Sequence, residues 1–254
     1  MSVLEASRSV RRDGCVGHSG TRAPLASSRL LDAAAAFWSR GLDLKAALSR
    51  AGYREQQTAA LHVHGEASLL PAVLREKLCT PLTQAVYADL GSSRSGEDVW
   101  ILLAAPFLPP APENAGKVAN DVLARLNRAR AQPRHCGSRV FAPVPPLQAS
   151  ELLQHAAEAH ARDMVVNGYF SHAGLDGSTP AQRVAATGYR YRVVGENIAS
   201  GPQTAAKAAD GWLASPEHCE NIMDPRFSES GVAFAATRSG PPHIYWVQEF
   251  AQPR

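Results

Sequence analysis

The chain states one pattern twice, and that repetition constrains its architecture more than any other feature. Pro24-Leu25, followed by Ser28, Leu30 and Leu31, returns as Pro146-Leu147 followed by Ser150, Leu152 and Leu153. Trp38-Ser39-Arg40 with Leu42-Asp43 returns as Phe170-Ser171-His172 with Leu175-Asp176, and Gly52-Tyr53-Arg54 returns as Gly188-Tyr189-Arg190. The spacing from Cys79 to Gly91 equals that from Cys219 to Gly231, and Trp100 and Ala105 match Trp246 and Ala251. Where the second copy carries His172 and Glu196, the first has Arg40 and Ala60. A chain of 254 residues is long enough for two domains. The expected division is a first copy over 1–105, a linker over 106–115 and a second copy over 116–254. Four prolines between Pro106 and Pro112 favour an extended, semi-rigid spacer. A polar site is expected in the second copy alone.

Within the second copy, Ala119, Val122, Leu123 and Leu126 recur at helical spacing from about Gly116. Cys136 to Pro146 reads as loop. Ser150 is placed as the N-cap of a helix ending at Asn167-Gly168. Thr179-Pro180 opens a short helix, Ala205 to Leu213 another, and Ser215-Pro216 a further turn. Strands are expected at Gly231–Ala236 and Ile244–Ala251, with one short Gly-Glu-Asn segment before them. Helices first and strands last argue for an α+β layered domain rather than a doubly wound sheet.

Bulk properties narrow the function. A formal net charge of +3, with no dense Lys/Arg run, gives no footprint for nucleic acid. No apolar run reaches the ~18–20 residues of a membrane span. Val99 to Leu108, the longest, reads as a buried strand. The opening residues lack the apolar stretch of a signal peptide, yet the first copy begins almost at residue 1. The expectation is that the native protein starts upstream and carries an export signal there. Four cysteines allow three pairings. The repeat selects Cys15–Cys79 and Cys136–Cys219, each contributing roughly 4 kcal/mol on the chain-entropy model. Such bonds persist in an oxidising compartment; the alternative is four reduced, buried thiols.

Three residues could carry chemistry. His172 follows a helix end. Glu196 sits among apolar neighbours in Gly195-Glu196-Asn197-Ile198-Ala199, so its carboxylate needs a partner or a shifted pKa. His218, three residues past the cap Ser215, falls in the first turn of a helix, where the dipole disfavours imidazolium. His155, His160 and His243 read as solvent-facing or packing residues. No serine or cysteine is a convincing nucleophile: Cys136 and Cys219 are committed to a disulfide, and Ser171 has no orienting acid.

Phe170-Ser171-His172, Gly195-Glu196-Asn197-Ile198-Ala199, Ser215-Pro216-Glu217-His218 with Asn221-Ile222, Gly231-Val232 and Tyr245-Trp246-Val247-Gln248 stand in an order that resembles the CAP superfamily. This is the SCP domain of cysteine-rich secretory, antigen 5 and pathogenesis-related 1 proteins, in its bacterial form. The resemblance spans about Gly116 to Pro253. It implies a three-layer α-β-α sandwich with a central antiparallel sheet in the C-terminal half. The N-terminal half is then a degenerate, shortened CAP-like copy. The resemblance also implies a cleft lined by His172, Glu196 and His218, a set that in some members binds a divalent metal such as zinc. The family's second cleft glutamate would fall near Ser215, which is not acidic. The resulting expectation is a secreted or periplasmic, non-enzymatic module that binds an envelope component, protein partner or other ligand. The alternative is a divalent-metal-dependent hydrolase of protein or envelope polymer.

Overall fold

The structure, a computed structural model, describes residues 2–254, apart from the side chain of Ala67. The chain forms two compact units that meet in sequence between Phe107 and Leu108. The first holds α1 (Val3–Asp13), β1 (Ala26–Ser27), α2 (Arg29–Trp38), α3 (Leu44–Ala51), β2 (Glu55–His64), α4 (Leu70–Lys77), α5 (Cys79–Thr83), β3 (Asp89–Ser95) and β4 (Asp98–Pro106). The second holds α6 (Ala115–Arg130), β5 (Arg134–Cys136), β6 (Arg139–Phe141), β7 (Gln148–Ala149), α7 (Glu151–Asn167), α8 (Pro180–Ala186), β8 (Tyr191–Ser200), α9 (Ala205–Ala214), α10 (Pro216–Met223), β9 (Glu229–Ala236) and β10 (Ile244–Pro253).

The sheet of the first unit runs β1-β3-β4-β2, and that of the second runs β7-β9-β10-β8. In each, a two-residue strand pairs in parallel with the next, and the remaining pairs are antiparallel. The central strands β4 and β10 are covered on both faces, which explains their almost unbroken apolar runs. Val99, Ile101 and Leu103 pack with α1, α4 and α5, while Leu102 and Ala104 pack with α2 and α3. In the second unit Tyr245, Val247 and Ala251 face α7. Trp246 and Phe250 turn the other way, against Phe234 and Phe227. Each unit is thus a mixed α+β layered fold.

Details recur between the units. The Arg11 guanidinium, buried, donates to the carbonyls of Ala23, Leu82 and Tyr87. Arg130, also buried, donates to those of Pro145, Ile222, Asp224 and Phe227. Burial draws the Arg130 pKa down to about 10, so it is charged at neutral pH. Tyr53 donates to Asp89 at 2.8 Å, and Tyr189 to Glu229 at 2.9 Å. Gly91 lets β3 approach α2 so closely that a Cβ would lie 2.2 Å from the Leu31 carbonyl carbon. At Gly231 a Cβ would lie 2.0 Å from the Gln154 nitrogen. Disulfides join Cys15 to Cys79 and Cys136 to Cys219.

Three expectations change. The stretch after Arg134 is not loop but a small hairpin, β5 with β6, that carries Cys136. The Gly-Glu-Asn segment lies inside a ten-residue strand, β8. The Trp100/Trp246 and Ala105/Ala251 matches are one residue out of register. Leu102 stands opposite Gly91 and Glu249 opposite Gly231, so Ala104 answers to Ala251 and Trp100 to Val247. A one-residue slip puts a side chain on the wrong face of the sheet. The same pairing sets Ala60 opposite Leu102 and Glu196 opposite Glu249.

Candidate functional site

The site is assembled on the α7 face of β8, an edge strand. Helix α7 stops at Gly168 in the left-handed conformation (φ 68°), which turns the chain into the loop bearing His172. Two buried groups hold that loop. His160 on α7 bonds through Nε2 to the Ser171 carbonyl at 2.8 Å. Arg183 on α8 donates to the carbonyls of His172 and Ser178, each at 2.9 Å. Helix α8 is fixed in turn by a capping box, Thr179 with Gln182, and by Pro180 in its first turn.

These elements converge on Glu196, whose side chain is 1% exposed. His172 Nδ1 lies 2.6 Å from Glu196 Oε1, and Arg183 donates to Oε2 at 2.7 Å. Both carboxylate oxygens are therefore engaged. His172 is itself about half exposed, with its side chain at 53%. Because Nδ1 faces a carboxylate, Nε2 is the nitrogen left for a ligand.

Directly across the strand pair stands Glu249, with no exposed surface and no hydrogen-bond partner besides the Glu196 carboxyl. Burial, then the charge of Glu196, pushes the Glu249 pKa well above the ordinary carboxylate range. Burial would raise Glu196 too. The bond from His172, the charge of Arg183 and a bond from Glu249 outweigh it and hold Glu196 below that range. Burial and the neighbouring charge thus favour the protonated form of Glu249, while its partners favour the ionised form of Glu196. Burial, followed by the charge of Arg183, lowers His160, which is neutral at pH 7.

His218 joins neither acid. Successive strand residues point to opposite faces. Glu196 faces α7 and α8, whereas Asn197 Nδ2 reaches the other way, to the His218 carbonyl on α10. Asn221 completes that clamp, donating to Asn197 Oδ1 at 2.9 Å and to the Glu196 carbonyl. The His218 pKa is lowered as expected from sequence, but by burial and by the charge of His172.

The expected ligand set thus divides: His172 and Glu196 meet, and His218 does not join them as a third ligand. Among the described residues no three His, Cys, Asp or Glu side chains form a group able to hold a metal ion. Glu196 has spent its oxygens on an imidazole and a guanidinium. The residues present do not fit the divalent metal expected of them.

Sequence reasoning missed Arg183, Glu249 and His160. Glu249 had a visible signal, an acid within the apolar run Tyr245-Trp246-Val247-Gln248-Glu249-Phe250-Ala251. Ser171 Oγ accepts the Ala173 N–H. A cavity of about 560 Å³ elsewhere in the second unit shares no residue with this centre and is partly lined by Asp121, Arg125 and Arg128.

Comparison with known proteins places the chain in a family. The family model "Cysteine-rich secretory protein family" (CAP) matches residues 123–250. The uncharacterized protein YkwD of Bacillus subtilis (strain 168) is 33% identical over 105 residues, which is 41% of this chain and 39% of YkwD. This chain therefore spans about two fifths of that relative's length. The crystal structure of Na-ASP-1 is similar over 98% of this chain and 86% of its own, with a TM-score of 0.56 at 11% identity, a likeness of fold alone. An extracellular SCP-domain protein from Bacillus anthracis str. Ames matches 61% of this chain and 52% of its own, at 21% identity and a TM-score of 0.44. The family match takes in half of the chain together with His172, Glu196, His218 and Glu249, and this protein belongs to the CAP family.

Proposed function

We propose that this protein is an exported CAP-domain binding module whose C-terminal unit recognises a ligand or cell-envelope component at the His172–Glu196 cleft. The observation that carries the reading is the half-exposed His172 imidazole, oriented by a buried carboxylate and, among the described residues, outside any group of three side chains able to hold a metal ion. Such an imidazole presents a fixed hydrogen-bonding edge. Two disulfides favour an oxidising compartment, which supports export.

The N-terminal unit is read as a degenerate CAP-like copy over about 1–105 that serves as scaffold or partner surface. The shared strand order, the carbonyl-bound arginines and the tight glycines support that ancestry. Its sheet carries Ala60 and Leu102 where the other carries Glu196 and Glu249, so this unit keeps no acid pair.

Co-sedimentation with purified peptidoglycan sacculi tests the reading. The wild-type chain should bind, and His172→Ala should bind at least ~10-fold more weakly, as expected for loss of a hydrogen bond to a charged or polar group worth roughly 1.5–3 kcal/mol. Soluble fragments released by the wild type and not by His172→Ala would show a hydrolase instead. Equal binding by both proteins would move recognition away from this cleft.

A further inference from the structure

The misfit between this cleft and a divalent metal has a specific cause. Arg183 is 11% exposed and is held from three directions, by Glu196 Oε2, the His172 carbonyl and the Ser178 carbonyl. Its guanidinium stands 2.7 Å from the oxygen that a metal would need. The other oxygen faces His172 Nδ1 at 2.6 Å. Each Glu196 oxygen already accepts a charge-assisted bond and the carboxylate is 1% exposed, so a metal would have to displace the imidazole or the guanidinium to reach it. Charge points the same way, because an ion placed at Glu196 would meet a fixed cation within contact distance. Glu249, opposite, is sealed behind Glu196 with no surface exposed.

We infer that Arg183 is the resident cation of the cleft: its guanidinium takes the place of a divalent metal at Glu196 and determines that the site works without one. This rests on the cleft assigned above as the binding site, but its test uses no envelope ligand. Failure of the one reading is therefore distinguishable from failure of the other.

The test is zinc titration calorimetry of the full oxidised chain at pH 7. Wild type is compared with Arg183→Met, Arg183→Gln, His172→Ala and the double variant Arg183→Met/His172→Ala, and near-ultraviolet circular dichroism reports native packing. Wild type should show no zinc binding that depends on His172. Arg183→Met or Arg183→Gln should gain a one-to-one site at least ~10-fold tighter than any in wild type, corresponding to about 1.4 kcal/mol. Adding His172→Ala should abolish that site. Dependence on His172 separates the cleft from surface imidazoles such as His62 and His64, which share Asp98. A one-to-one zinc site in wild type that His172→Ala removes would overturn the inference. So would natively packed Arg183 variants that gain no zinc. If neither Arg183 variant folds, the residue is a structural clasp and the inference falls.

Discussion

Glu249 sets a pH dependence that can be read against a single substitution. Its pKa is raised in the folded chain, so above the ordinary value of 4.5 the native state holds a proton that the unfolded state has lost. Stability from this residue therefore falls as pH rises through that window, by up to about 1.4 kcal/mol per pH unit. His160 acts oppositely, because its pKa is lowered from 6.5. Below that value the unfolded chain takes up a proton that the native one refuses, so its share of stability rises with pH and offsets Glu249. Urea unfolding of wild type and Glu249→Gln between pH 5 and 7 should isolate the carboxyl. The amide keeps shape and donor but cannot ionise, so the variant's stability should gain on wild type as pH rises. Parallel pH curves would mean that Glu249 is ionised in the native state. At this scale the sequence showed His172 and Glu196, because each sits in a recognisable local motif. It hid Arg183 and His160, whose roles depend on a loop closing over them from elsewhere in the chain.

Between elements, two glycines with similar local sequence status have opposite structural meanings. Gly231 lies where β9 presses on α7, and a methyl group there would overlap backbone that cannot move aside. Gly231→Ala should cost several kcal/mol, at or beyond the ~1–3 kcal/mol typical of overpacking. Gly211, inside α9, meets nothing within 4 Å. Gly211→Ala should stabilise by about 0.5–1 kcal/mol through helix propensity alone. Thermal denaturation of the two variants checks the contrast, and equal shifts would refute it. Helix ends were legible for local reasons: Gly168 stops α7, and Thr179-Pro180 starts α8. Strands were less so. β8 is exposed at its start, buried in its middle and interrupted by Gly195, so neither alternation nor a continuous apolar run marks it. The β5–β6 hairpin is three residues a side and owes its place to Cys136, which the disulfide ties to α10.

For the whole molecule, each unit has its own sheet, its own core and its own disulfide. Scanning calorimetry should therefore resolve two transitions. Replacing Cys136 and Cys219 by serine should lower one of them, at a cost of about 2–5 kcal/mol, and leave the other in place. One transition moving as a whole would show that the units unfold together. The two units also differ in a way that sequence matching could not interpret. Helix α2 has ten residues and α7 has seventeen. Strand for strand, His62 and Trp100 stand where the other sheet has Ile198 and Val247, and Asp98 stands where it has Tyr245. Ile198, Val247 and Tyr245 are buried beside α7, while the His62 and His64 side chains are 44% and 68% exposed. The shorter helix of the first unit thus goes with a solvent-facing stretch of sheet, where the longer helix of the second covers an apolar one. A longer α2 would drive two imidazoles and a carboxylate out of water, so covering this face as α7 covers its counterpart requires several substitutions at once.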